Sequence, residues 1–158
     1  MNGAVVCVGR LREKFFAAAA EEYLKRISRF GKMEIIELPD LPEPMNASDA
    51  ERRQVMEKEG EAILSRIRPG DRVIALCIDG PQYESEAFAS RVRDWDMRGG
   101  KTVFVIGGSL GLSPQVIRRA DEKMSLSKMT FPHQLARVLL LEQIYRACKI
   151  NAGEKYHK

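Results

Sequence analysis

Unbroken apolar runs alternate along the chain with segments in which apolar residues recur every three or four positions. The runs are typical of strands buried on both faces of a sheet, and the wider spacing is typical of helices packed on one side. The pattern predicts strands at Ala4–Gly9, Met33–Leu38, Arg72–Ile78, Lys101–Ile106 and Lys123–Leu126. It predicts helices within Leu11–Phe30, Ser48–Ile67, Ser85–Met97, Pro114–Ala120 and Pro132–Lys149. This alternation indicates an α/β fold with a mostly parallel sheet and helices on both faces.

Local signals mark several boundaries of these elements. Ser48 and Glu51 have the spacing of a capping box, in which each side chain bonds the other's backbone N–H. Ser113 followed by Pro114 is the usual combination of an N-cap and a first-turn proline. The segment Pro39–Pro44 contains three prolines and is predicted to be a loop.

The composition narrows the class of protein. Apolar residues make up 44% of the 158 residues and charged residues 30%, which is ordinary for a globular protein and excludes disorder. The longest apolar runs, FFAAAA and VLLL, are too short to cross a bilayer, and no signal segment opens the chain. We therefore expect one cytoplasmic domain over residues 1–158. The net charge of +4 permits RNA binding without arguing for it, because the basic residues are scattered among acids.

The three cysteines, Cys7, Cys77 and Cys148, lie inside apolar runs. They form no CxxC pair, and no histidine stands at ligand spacing from them. We expect buried thiols and no metal site.

Three loops are predicted to meet at one edge of the sheet. In open parallel sheets, ligands bind beyond the carboxyl ends of the strands, where loops and helix N-termini gather. The loops are Leu76–Gly80, Gly107–Gly111 and Leu126–Pro132. The second carries the spacing GGxxG, which is neither the GxGxxG of dinucleotide sites nor a P-loop, since no GK[ST] follows. It is therefore either a ligand-binding loop or a tight glycine turn without a ligand.

The third loop lies in the sequence SLSKMTFPHQL, directly before the last helix. In one interpretation it only starts that helix: Thr130 is the N-cap, Pro132 occupies the first turn and His133 is a surface residue. In the other it forms the wall of a binding site. The helix behind it is apolar around most of its circumference, so it is buried either centrally in one chain or against a second subunit.

The C-terminal segment Gly153–Lys158 also allows two interpretations. Such a segment is commonly a frayed terminus. It also combines an aromatic ring, an imidazole and two ammonium groups, which could stack on a base and hold phosphate.

Three segments, VFVIGGSLGLS, SLSKMTFPHQLARVLLLEQIYRACKI and GEKYHK, resemble the ribosomal RNA large subunit methyltransferase H family of the SPOUT class. The resemblance covers the whole chain and is most specific from Val103 onward. It implies a C-terminal trefoil knot, a homodimer with active sites at the interface, and S-adenosylmethionine-dependent methylation of N3 of a pseudouridine in helix 69 of 23S rRNA. It also places the cofactor site at Leu76, Gly108, Ser127, Lys128, Met129, Thr130, Phe131 and Pro132, with Tyr156 and His157 handling the substrate.

The implied reaction needs no metal, because the sulfonium of the donor already activates the methyl group for an in-line nucleophile. It does need a proton acceptor, since pseudouridine N3 is protonated at neutral pH. His157 is preferred to His133 as that base. We expect Leu76 and Phe131 to form apolar walls around the cofactor and Gly108 to leave space for its ribose or methionine part.

Two other classes compete with this interpretation. A nonenzymatic, ribosome-associated RNA-binding or assembly protein could use the same basic surface and aromatic tail, and binding of the methyl donor separates the two. A Rossmann-type nucleotide enzyme is the weaker alternative, because the AVVCVGRLRE segment offers only Gly9 in place of GxGxxG.

Overall fold

A computed structural model describes residues 1–156, in which strands and helices alternate from the first residues to the last helix. The strands are β1 Asn2–Val8, β2 Lys32–Leu38, β3 Arg72–Leu76, β4 Thr102–Ile106 and β5 Glu122–Met124. The helices are α1 Lys14–Ile27, α2 Asp49–Leu64, α3 Ser85–Met97, α4 Pro114–Arg119 and α5 His133–Asn151. The predicted order of elements is confirmed.

The five strands form one parallel sheet in the order β2-β1-β4-β3-β5. The register aligns Val5 of β1 with Phe104 of β4, and Ile74 of β3 with the same Phe104. Because all strands run in one direction, their carboxyl ends share one edge. The α/β class with a parallel sheet is confirmed.

Side chains alternate between two apolar layers, one on each face of the sheet. Val5, Cys7 and Phe104 point into the layer that α1, α3 and α5 cover, whereas Val6, Val8 and Val105 point into the layer that α2 and α4 cover. The three central strands β1, β4 and β3 are almost entirely apolar because both of their faces are buried. The prediction of helices on both faces of the sheet is confirmed.

Helix α5 lies between α1 and α3. Leu140, Leu141 and Ile144 are completely buried within this single chain. Central burial therefore explains the apolar middle of the helix. Leu135 and Leu139, nearer its beginning, remain half-buried.

Several elements end at other residues than the pattern predicts. β3 stops at Leu76 rather than Ile78, because the chain turns directly after it: the Gly80 N–H donates to the Cys77 carbonyl at 3.1 Å. α2 stops at Leu64 rather than Ile67, since Ile67 N–H bonds Leu64 in a tighter turn. β5 covers Glu122–Met124 and not Lys123–Leu126. Its Glu122 accepts a hydrogen bond from the indole of Trp95 at 2.9 Å.

The thiols follow the prediction with one exception. Cys7 and Cys148 are buried, and burial raises the pKa of Cys7 to about 11, so it is a neutral core thiol. Cys77 is only half-buried, because it lies just beyond the end of β3. Among residues 1–156, none of the helices has the length and apolar character that crossing a membrane requires.

Candidate functional site

A cavity of about 400 Å³ opens at the carboxyl edge of the sheet, where the three predicted loops meet. Its wall is mostly apolar and comes from the ends of β3 and β4, the segment after β5, and the start of α5. Of the predicted cofactor residues it contains Leu76, Gly108, Ser127, Met129, Thr130, Phe131 and Pro132. Lys128 is the exception: it is exposed and does not line the cavity.

The glycine loop after β4 folds back sharply on itself. Gly111 donates its N–H to the Gly108 carbonyl at 3.1 Å and has a φ of +82°, which favours glycine. A Cβ at Gly107 would lie 2.7 Å from the carbonyl carbon and oxygen of Gly111. α4 then begins with Ser113 as its N-cap, as predicted. The loop is therefore a tight turn in which the backbone itself requires glycine at residues 107 and 111.

Gly108 lacks a side chain for a reason that the sequence did not suggest. A Cβ there would lie 3.0 Å from Oε2 of Glu59 and 3.2 Å from Cγ1 of Val8. The position of the missing side chain is thus occupied by α2 and β1, while the Gly108 backbone lines the cavity.

Glu59 is a buried carboxylate on α2 that sequence reasoning missed. Its side chain accepts the Leu41 N–H at 3.2 Å, which attaches the proline-rich loop to the helix beside the glycine loop. Burial raises the pKa of this carboxyl group. The residue lies within the predicted helix Ser48–Ile67, but an acid in such a charged helix normally faces solvent.

The segment from Ser125 to Pro132 is folded by its own serines. Ser125 donates its hydroxyl to the Ser127 carbonyl at 2.8 Å, and Ser127 Oγ accepts the Met129 N–H at 3.0 Å. Thr130 does not cap α5. The N-cap is Pro132, which makes no side-chain cap, so the predicted Thr130 cap is wrong. Proline at the cap lets the chain turn directly from the cavity wall into the helix.

The loop after β3 passes closely beneath this segment. A Cβ at Gly80 would lie 2.6 Å from the carbonyl carbon of Met124, and the Ser125 N–H donates to the Pro81 carbonyl at 2.9 Å. The two loops are therefore held against each other by backbone contacts, and only glycine fits at residue 80.

His133 is not the surface residue that the helix-start interpretation predicts. Its imidazole is half-buried and lines the cavity beside Gly9. Burial lowers its pKa, and the positive charges of Arg137 and Arg12 lower it further, against an opposite effect of Asp40. The ring is therefore neutral at neutral pH.

Arg137, one turn along α5, is completely buried and was missed by the sequence analysis. Its Nη2 donates to the carbonyls of Val8 at 2.6 Å and Gly9 at 2.8 Å, and so binds α5 to the end of β1. Glu37 is 3.8 Å from its Nη1. Within residues 1–156 neither Nε nor Nη1 has a hydrogen-bond partner. The only signal was its spacing of four residues from His133.

Tyr156 packs against α5. Its ring lies edge-on to Tyr145 with centroids 4.9 Å apart, beneath the Arg146 guanidinium at 4.8 Å. Its hydroxyl is 3.3 Å from Glu142 Oε1, and burial raises its pKa. It is not among the residues that line the cavity. His157, the predicted base, lies outside the described residues.

In the part of the chain that the structure describes, no three His, Cys, Asp or Glu side chains are grouped so that they could hold a metal ion.

Comparison with known proteins shows which family the chain resembles. The family model described as "Predicted SPOUT methyltransferase" matches residues 1–157. Proteins named ribosomal RNA large subunit methyltransferase H from Bifidobacterium animalis subsp. lactis, Bacillus cereus and Clostridium novyi are 55%, 52% and 51% identical over the full length of both chains. The solved structure of a probable methylase family protein from Haemophilus influenzae covers 99% of this chain and 70% of its own. Its TM-score is 0.55 at 14% identity, so it shows a shared fold alone.

Proposed function

The chain belongs to the SPOUT methyltransferase family, and we propose that it methylates the RNA of the large ribosomal subunit with S-adenosylmethionine as donor. The observation that carries this proposal is the cavity at the carboxyl edge of the sheet, where three separate loops meet. The full-length relatives named for this reaction support the substrate class. The finer proposal is that the target is N3 of a pseudouridine in 23S rRNA.

The cavity suits the donor in size and chemistry. About 400 Å³ lies within the range of small-molecule sites, which are mostly apolar with a few polar groups. Leu76 and Phe131 would form the apolar walls around the adenosine, and backbone groups of residues 127–132 would bond the adenine edge. When bound, the donor supplies an electrophilic methyl group on a sulfonium.

The chain must itself supply orientation and a proton acceptor. Methyl transfer to pseudouridine N3 forms an N–C bond, breaks the S–CH₃ bond and releases the N3 proton. We propose His157 as the acceptor and Tyr156 as the residue that positions the substrate. Tyr156 packs against α5, with its hydroxyl 3.3 Å from Glu142 Oε1.

We further propose a homodimer and a C-terminal trefoil knot, with residues 1–158 as a single cytoplasmic domain. Because Tyr156 lies outside the cavity of its own chain, a second subunit would have to bring the tail to a site. The half-buried apolar residues at the start of α5, Leu135 and Leu139, are consistent with such a contact.

The decisive experiment is mass spectrometry of 23S rRNA from cells that lack the protein. We expect the loss of one methyl group on one pseudouridine and its return on complementation. An unchanged modification map would reject the function. Binding of RNA without binding of S-adenosylmethionine would instead indicate a nonenzymatic assembly protein.

The proposed base is tested in single turnover. His157→Ala should slow methyl transfer by about a hundredfold or more while leaving cofactor affinity nearly unchanged. A single-turnover rate equal to that of the wild type would exclude His157 as the base.

A further inference from the structure

The imidazole of His133 is a polar group in an otherwise mostly apolar wall. It lines the cavity together with residues such as Phe131 and Ala136. Neither ring nitrogen makes a hydrogen bond to any residue from 1 to 156. Polar atoms in such surroundings normally have a partner, so the ring is available to a ligand.

The ring is held in place by its neighbours. A Cβ at Gly9 would lie 3.2 Å from His133 Nε2 and 3.7 Å from Arg137 Nη2, so both side chains pack against the same glycine. Arg137 in turn bonds the Gly9 carbonyl. The end of β1, the imidazole and the guanidinium thus form one packed unit beside the cavity.

The charges around this unit oppose protonation of the imidazole. Arg137 on α5 and Arg12 after β1 disfavour the charged form, Asp40 after β2 favours it, and burial has the largest effect, so the pKa is lowered. His133 is also the first residue of α5, where the partial positive charge of the helix acts in the same direction.

We propose that His133 contacts the bound methyl donor as a neutral imidazole, and that Arg137 is the positioning residue that holds it there. This rests on the proposed function. The donor carries a positive sulfonium, whereas the product of transfer, S-adenosylhomocysteine, has a neutral thioether in its place. A neutral imidazole accepts both, but an imidazolium repels the donor selectively. The charge state of His133 therefore sets the preference between donor and product.

The first test is calorimetry of S-adenosylmethionine and S-adenosylhomocysteine with the full chain, at about pH 8 and about pH 5.5. The two ligands share every other titratable group, so the ratio of their affinities isolates the sulfonium. In the wild type we expect the donor to weaken by about a few-fold relative to the product at the lower pH, because the lowered pKa leaves only part of His133 protonated there. His133→Asn should make the ratio independent of pH, and His157→Gln should retain its pH dependence.

These outcomes distinguish a failure of the His133 proposal from a failure of the proposed function. If neither compound binds at pH 8, the proposed function fails. If both bind and the ratio does not change with pH in the wild type, only the role of His133 is overturned. The same holds if His157→Gln removes the dependence and His133→Asn keeps it.

The second test measures the His133 pKa by NMR. Asp40→Asn, an exposed change that leaves the core intact, should lower it, and Arg137→Met should raise it. Arg137→Lys keeps the charge and should leave the pKa closer to that of the wild type. Addition of S-adenosylmethionine should lower it further. A His133 pKa that neither the donor nor Asp40→Asn moves would overturn the proposal even if Arg137→Met fails to fold.

Discussion

The glycine loop offers the sharpest test of the site, because a methyl group at Gly107 would meet backbone atoms at less than 3 Å. Its Cβ would lie 2.7 Å from both carbonyl atoms of Gly111 and 3.1 Å from Leu112 Cδ2. Ordinary carbon contacts are about 3.5–4.0 Å, so the overlap is close to 1 Å and no rotamer relieves it. The turn between Gly108 and Gly111 must open instead.

The expected magnitude follows from two opposing effects. Forcing a methyl group into a packed site destabilises by about 1–3 kcal/mol, and the backbone contact places Gly107→Ala at the upper end. Alanine also restricts the unfolded chain more than glycine does, and this offsets about 0.4–1 kcal/mol of that destabilisation. We therefore expect the free energy of unfolding to fall by about 2 kcal/mol in urea denaturation, and calorimetry to show at least a tenfold loss of S-adenosylmethionine affinity.

Two other glycines serve as matched controls. Gly70 has open space around its missing Cβ and no positive φ, so Gly70→Ala should leave stability unchanged or raise it slightly. Gly111 also has open space but a φ of +82°, so Gly111→Ala should cost about 1 kcal/mol from backbone strain alone. If Gly107→Ala behaves like Gly70→Ala in both assays, the close-approach argument is refuted.

Substitutions at three further residues test other parts of the fold. Because the pKa of Glu59 is raised, its carboxyl group contributes most to the free energy of unfolding below the unfolded pKa, and this contribution is lost as pH rises through the folded pKa. Glu59→Gln can still accept the Leu41 N–H. In denaturant titrations it should be more stable than the wild type near pH 7 and lose that advantage near pH 4. Ser48→Ala removes the hydroxyl that accepts the Glu51 N–H at 3.2 Å and should lower the free energy of unfolding by about 1 kcal/mol. Ser48→Thr keeps a hydroxyl and is the control. Equal stability of the wild type and both variants would contradict the cap. Tyr156→Phe loses only the contact with Glu142 and should lower the free energy of unfolding by about 0.5 kcal/mol. Tyr156→Ala should also abolish methyl transfer at unchanged cofactor affinity. A fully active alanine variant would exclude a role of Tyr156 in substrate positioning.

The element order was predictable because the first four strands lie in apolar runs and several helices carry local signals. The capping box at Ser48 and the cap at Ser113 are both present as predicted. The ends of β3 and β5 were not predictable. The Gly80 N–H turns back to the Cys77 carbonyl after β3, and the Ser125 N–H after β5 bonds the carbonyl of Pro81, which is far away in the sequence. Local propensity continues a strand wherever apolar residues continue, and only the tertiary partner ends it.

The convergence of three loops was predictable from the parallel order, since every βα loop lies at the same edge. Arg137 and Glu59 were not, because a charged side chain in a helix normally faces solvent. The partners of Arg137 are the carbonyls of Val8 and Gly9, which lie more than a hundred residues away. The cavity wall was therefore visible in the pattern, whereas the charged groups that support it appear only in three dimensions.

The position of β1 between β2 and β4 also determines when the protein can fold during synthesis. Val5 pairs with Phe104, which the ribosome adds about 100 residues later. At about 5–20 residues per second, the apolar edge of β1 waits about 5–20 s for its second neighbour. During that interval an unpaired Ala4–Val8 edge is open to pairing with another nascent chain. The same strand that anchors Arg137 in the finished protein is thus the segment most exposed to aggregation while the protein is being made.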